Sequence, residues 1–529
     1  MIGRHLRSLA TAGFAVCMVV SPLFQAEAAE KPSQTVNPNR ASNPAESYPT
    51  TTPIKHLVVI FGENISFDHY FATYPNATNP ASEPPFTPLA NTPVPNNLLS
   101  GGLLTENPNS VQPFRLDRTQ AVTCDQNHNY TPEQQAFDLG AMDKFPQFTG
   151  TGGSTCDFGH GTGLVMGYYD GNTVTAMWNY AQHFAMSDNS FNTQFGPSAP
   201  GAINLVSGNT ANAYYVSGGS TVGVIANGAT SGALIGDGRP AGDDCGPTGK
   251  TYVSFPAGTN NIGDELNNAS YTWGWFQGGF APTSVSNGIA TCASASVGLA
   301  GSTADYVAHH EPFQYYPETA NPHHLLPTSN AAIGTTDQAN HQYDLSAFTT
   351  ALNAGQLPAV TYLKAKAAYD GHPGYSDPLD EQTFVVNTIN SIMNNEYWKD
   401  TAIIIAYDDS DGWYDHVMDP LVNQSQVSDD ALTGASLCGT NTAATTQGRC
   451  GYGPRTPLLV ISPYAKQNYI DHQTTDQSSI LQFIETNWSL PAMGNGSTDV
   501  KAGSLLGMFD FTGKKAPKLI LDPTTGEVN

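Results

Sequence analysis

Two apolar runs in this 529-residue chain end on oxygen-bearing side chains. Ile54 to Phe61 leads into Gly62-Glu63-Asn64, and Thr401 to Tyr407 leads into Asp408-Asp409-Ser410-Asp411-Gly412. Short continuous apolar runs of this kind read as buried strands. In an open α/β sheet, functional groups gather at the carboxyl ends of strands. If these two strands are neighbours, Glu63, Asn64, Asp408 and Asp409 converge. Four oxygen ligands suit one divalent cation, whose identity the ligands alone do not fix. The same residue types also cap turns, so spacing leaves both readings open. The Asp408 segment is not an EF-hand loop, because Gly412 at the turn position would place Tyr407 at the first ligand.

A third segment, Phe195-Gly196-Pro197-Ser198-Ala199-Pro200-Gly201, precedes the apolar Ile203, Leu205 and Val206. It places Ser198 on a turn at the start of a short helix. A helix start offers free N–H groups to a phosphoryl group. A nearby metal would make the hydroxyl a nucleophile. A Ser before such a run also serves as a simple cap. Histidines that can donate to phosphate oxygens or protonate a leaving alcohol cluster as His309-His310 and His323-His324, with His128 and His372 in separate loops. There is no G-x-S-x-G elbow, no H-E-x-x-H helix and no Walker-A loop. Their absence disfavours a standard α/β-hydrolase esterase, a zincin and a P-loop nucleotide site.

The elements that must position these groups are legible. Pro358 to Leu363 and Pro457 to Ile461 predict two further strands. Continuous apolar strands suit a sheet covered on both faces. Asp377-Pro378 predicts a helix start, followed by an apolar stripe through Phe384, Val385, Ile389, Ile392 and Met393. A second helix is predicted over residues 172–186. Strand–helix alternation argues for an α/β domain. The Gly/Ser/Thr/Asn-rich stretch 209–300 reads as an insertion decorating one core. Residues 51–529 are thus expected to form a single domain.

The start of the chain reads as an export signal. Arg4 and Arg7 precede an interrupted apolar run from Leu9 to Leu23, and Ala26-Glu27-Ala28 offers a cleavage site. Residues 1–29 are expected to leave, and residues 30–50 to form a flexible leader. Six cysteines then remain: Cys124, Cys156, Cys245, Cys292, Cys438 and Cys450. An even count in an exported chain suggests disulfides, and sequential pairing is the simplest of the fifteen arrangements. A periplasmic or secreted protein is the expectation.

Composition narrows the function class. The formal net charge is −25, yet only 12% of residues are charged. That excludes a charge-dense disordered chain and disfavours nucleic acid as a partner. No stretch after the leader reaches membrane-spanning length, so no stable membrane insertion is expected. An anionic chain that handles phosphate needs a local cation to attract it. Glu63, Asp408, Asp409 and Asp68 are the acids that such a site would use.

The motifs together resemble the bacterial phosphoesterase family of phospholipases C and acid phosphatases, more nearly its acid phosphatase branch. The likeness rests on Glu63-Asn64-x-Ser66-Phe67-Asp68-His69-Tyr70-Phe71, Gly196-Pro197-Ser198-x-Pro200-Gly201, His309-His310-Glu311-Pro312-Phe313 and Tyr407-Asp408-Asp409-Ser410-Asp411-Gly412. Further matches are Gly167 to Ala176, Trp273 to Phe280 and Pro517 to Pro523, in the same order along the chain. The resemblance implies an alkaline-phosphatase-like α/β fold, with a mostly parallel central sheet flanked by helices and loop-rich insertions. It implies Glu63, Asn64, Asp408, Asp409 and Ser198 as ligands of one divalent metal, with Ser198 also the nucleophile. It implies His128, His309, His310 and His372 as phosphate-site histidines. Phospholipase C members often carry Thr at the nucleophile position, and this chain has Ser as the acid phosphatases do. Phosphomonoester hydrolysis is the first expectation and phospholipid head-group cleavage the second. Under the second, Trp273, Trp275 and Phe276 either line a lipid-contacting rim or pack in the core, with core packing the reading at least as well supported. A non-catalytic secreted surface-binding protein is a third reading, which the intact ligand set argues against.

Overall fold

The computed structural model describes residues 39–217, 224–248, 250–418, 420–440 and 447–529. The expected signal, residues 1–29, lies outside them. An eight-stranded mixed sheet forms the centre. In chain order its strands are β1 (His56–Gly62), β2 (Ala185–Ser187), β3 (Trp273–Gln277), β4 (Gln342–Asp344), β5 (Val360–Lys364), β6 (Thr401–Tyr407), β7 (Leu458–Ile461) and β8 (Tyr469–Asp471). Across the sheet they run β4-β3-β5-β1-β6-β7-β2-β8. All are parallel except β7, which is antiparallel to both neighbours.

The strands predicted from apolar runs are the centre of this sheet. Every residue of β1 and β6 is buried, as a strand covered on both faces requires. The helices include α1 (Thr175–His183), α2 (Ser198–Ser207), α3 (Leu345–Ala354), α4 (Pro378–Met393) and α5 (Ser478–Trp488). α1 packs on α4, α2 packs on α5, and α3 lies against β3 and β4. Asp377 caps α4 as predicted, accepting hydrogen bonds from the Leu379 and Asp380 amides, and Pro378 takes the first helical position.

Two expectations change. Residues 39–48, placed in the leader by composition, are docked on the domain. The buried Arg40 pairs with Asp400 at 2.6 Å, and Asn43 donates to the Leu357 carbonyl. The stretch 209–300 is not one insertion, because it contributes β3 to the middle of the parallel block. The rest of it forms a four-stranded sheet within residues 213–254 and two β-hairpins within 284–304. Of the two readings for Trp273, Trp275 and Phe276, core packing holds: all three are fully buried in β3. Disulfides join Cys124–Cys156, Cys245–Cys292 and Cys438–Cys450, the sequential pairing. Among the described residues no helix is long and apolar enough to cross a membrane.

Candidate functional site

The sheet register builds the site. β1 and β6 run parallel with Gly62 opposite Tyr407. The next residues, Glu63 and Asp408, therefore leave the sheet side by side at its carboxyl edge. On the other flank of β1, Leu363 of β5 lies opposite Ile60, so the strand delivers Lys364 to the same edge. Asn64 holds a left-handed backbone (φ 59°), which Asn tolerates better than most residues. Its amide and that of Asp409 both donate to Asp408 Oδ1, at 3.1 and 2.8 Å.

Helix α2 brings the fourth component. Gly196 adopts φ 117°, open to glycine, and Pro197 precedes the first helical residue, Ser198. The N-cap position is Pro197, so Ser198 is not the capping residue. Its Oγ points instead at the strand ends, 3.1 Å from Glu63 Oε2, 3.1 Å from Asp409 Oδ2 and 3.4 Å from Asn64 Oδ1. All four residues are buried. The helix start is not wholly free for a phosphoryl group, because the Ala199 amide donates to Asp237 Oδ1 at 3.0 Å.

The electrostatics are unbalanced. Glu63, Asp408 and Asp409 are three buried carboxylates; the Lys364 ammonium faces Glu63 and Asp408, and His128 acts on Asp409. Lys364 Nζ rests on Glu63 Oε1 and lies 4.0 Å from Asp408 Oδ2. Burial and the neighbouring Asp408 push the Glu63 carboxyl well above its usual range, against the pull of Lys364. Burial and Asp408 likewise raise Asp409, against His128. Asp408 Oδ2 is buried and has no hydrogen-bond partner. An orphaned carboxylate oxygen inside an acid-rich, oxygen-lined cluster has the donor chemistry that suits a divalent cation, and Glu63 also groups with His310 and Asp370 as a candidate metal-holding set.

The predicted histidines fall in two pairs. His128 and His372 have ring centroids 6.0 Å apart, and His309 and His310 stand 4.5 Å apart. His128 Nδ1 lies 2.9 Å from the Gln126 carbonyl and 3.2 Å from Asp411 Oδ1. Although burial opposes it, the carboxylates of Asp409, Asp411 and Asp125 hold the imidazole well above its ordinary value. His372 Nδ1 is engaged by the Pro373 carbonyl at 2.7 Å, and burial lowers the ring's basicity. His310 Nδ1 stands 3.1 Å from Glu63 Oε1; burial and Lys364 hold the ring well below its usual value. His309 is partly exposed, with Nε2 3.9 Å from Asp237 Oδ2.

Other expectations fall outside the centre. Asp68 pairs with His416 Nδ1 at 2.6 Å and with Arg455 at 3.4 Å, so its charge is spent in a separate buried network. His324 is held by Asp243 and the Phe280 carbonyl. Conversely, sequence reading passed over four groups. Lys364 looks like an ordinary strand end until β5 is placed beside β1. Asp370 has a carboxylate oxygen 4.0 Å from His310 Nδ1. Asp411 holds His128. Glu133 accepts hydrogen bonds from the Gly196 amide and from Ser410 Oγ, both at 2.8 Å, and so ties the Ser198 turn to the Asp408-Asp409 turn. Glu133 carries no local signal in the sequence; only its site partners reveal it.

A profile of the phosphoesterase family matches residues 54–491, and the chain belongs to that family. It is 24% identical over 461 residues to a non-hemolytic phospholipase C of Burkholderia pseudomallei, covering 83% of this chain and 56% of that protein. It is 24% identical over 476 residues to phospholipase C A of Mycobacterium tuberculosis, covering 87% and 78%. The chain thus spans little more than half the length of the Burkholderia relative. Among solved structures it is similar to an alkaline phosphatase superfamily protein from Vibrio parahaemolyticus, with a TM-score of 0.27 and 11% identity over 71% of each chain.

Proposed function

We propose that this chain is a metal-dependent phosphoric-ester hydrolase that works through a phosphoserine at Ser198. The observation that carries the reading is the placement of Ser198 Oγ within 3.1 Å of both Glu63 and Asp409 at the carboxyl edge of the sheet. A hydroxyl that is neither capping its helix nor solvated, and that faces carboxylates, is placed for deprotonation. Family membership supports the same reaction class.

A divalent cation bound by Glu63, Asn64, Asp408, Asp409 and Ser198 would neutralise phosphoryl charge and lower the hydroxyl pKa. The remaining work falls to the chain's own groups. Asp409 Oδ2 or Glu63 Oε2 receives the Ser198 proton. Ser198 Oγ attacks phosphorus in line and the ester oxygen departs. His128 Nε2 protonates that oxygen, its Nδ1 being held by Asp411 and the Gln126 carbonyl. Water then cleaves the phosphoserine: His128 takes the water's proton, and the carboxylate returns the first proton to Ser198 Oγ as it leaves phosphorus. Lys364 and His310 hold the Glu63 carboxylate in place. Positioning and charge neutralisation supply most of the rate in phosphoryl transfer.

Two substrate readings follow. Ser rather than Thr at the nucleophile supports phosphomonoesters. The names of the relatives, phospholipases C, support phospholipid head groups. Export to the periplasm or beyond belongs to either reading, and the three disulfides support it. Turnover of an aryl monophosphate and of phosphatidylcholine by wild type, Ser198→Ala and chelator-treated protein is the test. Loss of all turnover in the last two is expected. Retained turnover in Ser198→Ala would reject the nucleophile.

A further inference from the structure

The loop-rich region ends in two consecutive hairpins, Ser284–Ser286 with Ile289–Thr291, and Ala295–Gly298 with Gly301–Ala304. Residues 281–304 contain no Asp, Glu, Lys, Arg or His, in a chain whose net charge is −25. Four large aliphatic side chains on this segment point into solvent: Val285 is 60% exposed, Ile289 58%, Val297 72% and Leu299 61%. Single exposed aliphatics are ordinary, and Val285 and Ile289 lie on opposite faces of the first hairpin, but Val297 and Leu299 stand two residues apart at the tip of the second, on uncharged backbone.

The second hairpin is fixed to the loop that carries site residues. Tyr369 donates from its hydroxyl to the Val297 carbonyl at 3.2 Å, and the Leu299 amide donates to Asp380 Oδ2 at 2.7 Å. Lys366 Nζ donates to Ser296 Oγ at 3.2 Å. A Cβ added to Gly298 would sit 2.8 Å from the Ala368 carbonyl oxygen, so the hairpin lies directly on the turn Ala367–Tyr369. The next residues are Asp370, Gly371 and His372. The inner residues Ser296 and Gly298 face that turn, while Val297 and Leu299 face outward.

We infer that the second hairpin seats the protein on a zwitterionic phospholipid surface, with Val297 and Leu299 entering the head-group boundary. The inference deepens the phospholipid reading above and rests on it only for the substrate, not for the docking. The charge pattern selects the occupant. A chain this acidic is repelled by an anionic lipid surface; the hairpins carry no basic residue, and the Lys366 ammonium that touches them is paired with Asp305 at 3.2 Å. A neutral interface imposes no such cost and accepts exposed aliphatic tips. The hairpins' hydrogen bonds and the Cys245–Cys292 bridge hold them in shape before contact. Docking here would bring the head-group layer beside the loop that leads to His372.

The test is flotation of the full chain with vesicles of pure phosphatidylcholine, and separately with vesicles of phosphatidylglycerol. Wild type is expected to float with the first and not with the second. Val297→Asp/Leu299→Asp is expected to lower the bound fraction about tenfold and the hydrolysis of vesicle lipid with it, while turnover of a soluble aryl phosphate stays within about twofold. That soluble turnover also shows that the variant folds. Flotation of the double variant equal to wild type, no flotation of wild type on phosphatidylcholine, or a preference for phosphatidylglycerol would each overturn the inference. Ser198→Ala separates the two claims. It is expected to float like wild type; if it floats while wild type hydrolyses no ester, the docking stands and the phosphoesterase reading falls.

Discussion

Gly201 in the first turn of α2 packs on the backbone of Asp408 so closely that a Cβ built there would lie 2.0 Å from the Asp408 carbonyl oxygen. This approach sets the distance between Ser198 and the end of β6. The same carbonyl accepts from Gln477 Nε2 at 2.6 Å, which pins it in place. Gly201→Ala is therefore expected to destabilise the fold by about 3 kcal/mol and to lower turnover by about 100-fold, since the helix must shift away from the strand end. Urea denaturation and turnover on an aryl phosphate check the two parts separately.

Lys364 is the buried cation that rests on Glu63 in the carboxylate cluster. Removing one partner of a buried charge set leaves the others uncompensated. Lys364→Met is expected to cost about 3–5 kcal/mol in metal-free protein, read from urea denaturation. The loss should shrink when a divalent cation is added, because the cation takes over part of the neutralisation. An unchanged loss with cation present would place the cation elsewhere.

Acid should weaken the fold through two histidines away from the centre. Burial holds His69 down to about 3 and His341 down to about 4, despite hydrogen bonds to the Gly167 and Trp273 carbonyls that pull them up. Both stay neutral in the native state while the unfolded chain takes up protons below about 6.5. Between 6.5 and these lowered values the unfolded state binds more protons, so stability falls as pH falls. From pH 7 to pH 5 each should cost about 2 kcal/mol. His341→Asn, which suits the left-handed backbone there (φ 66°), should remove about half of that pH dependence.

Glu133 acts at one remove. Its carboxylate joins Gly196 to Ser410, and burial raises it to about 7. Glu133→Ala is expected to lower kcat about tenfold or more with a smaller change in KM, because the nucleophile turn loses its tie to the Asp409 turn. Glu133→Gln, which keeps one acceptor, should recover part of the rate. A KM effect alone would make Glu133 a substrate contact instead.

The legible part of this protein was the part with strong local pattern. β1, β5, β6 and β7 are continuous apolar runs, and the acids and amide at the ends of β1 and β6 follow from the parallel register. β3 was lost because its five residues sit in a Gly/Asn/Ser-rich stretch that reads as decoration. Asp68 shared a motif with Glu63 but faces Arg455 and His416, a separation set by the turn of the short helix Phe67–Phe71. Lys364, Glu133 and Asp411 are single charged residues whose partners lie far away in sequence. Only the assembled fold shows what they touch.

The central claim is that Ser198 carries the phosphoryl group. Acid-quenching wild type during turnover of an aryl phosphate, followed by peptide mass spectrometry, measures this directly. The account predicts one phosphate on the peptide containing Ser198, absent in Ser198→Ala. Turnover with no phosphate on that peptide, or with phosphate on a different residue, would contradict it.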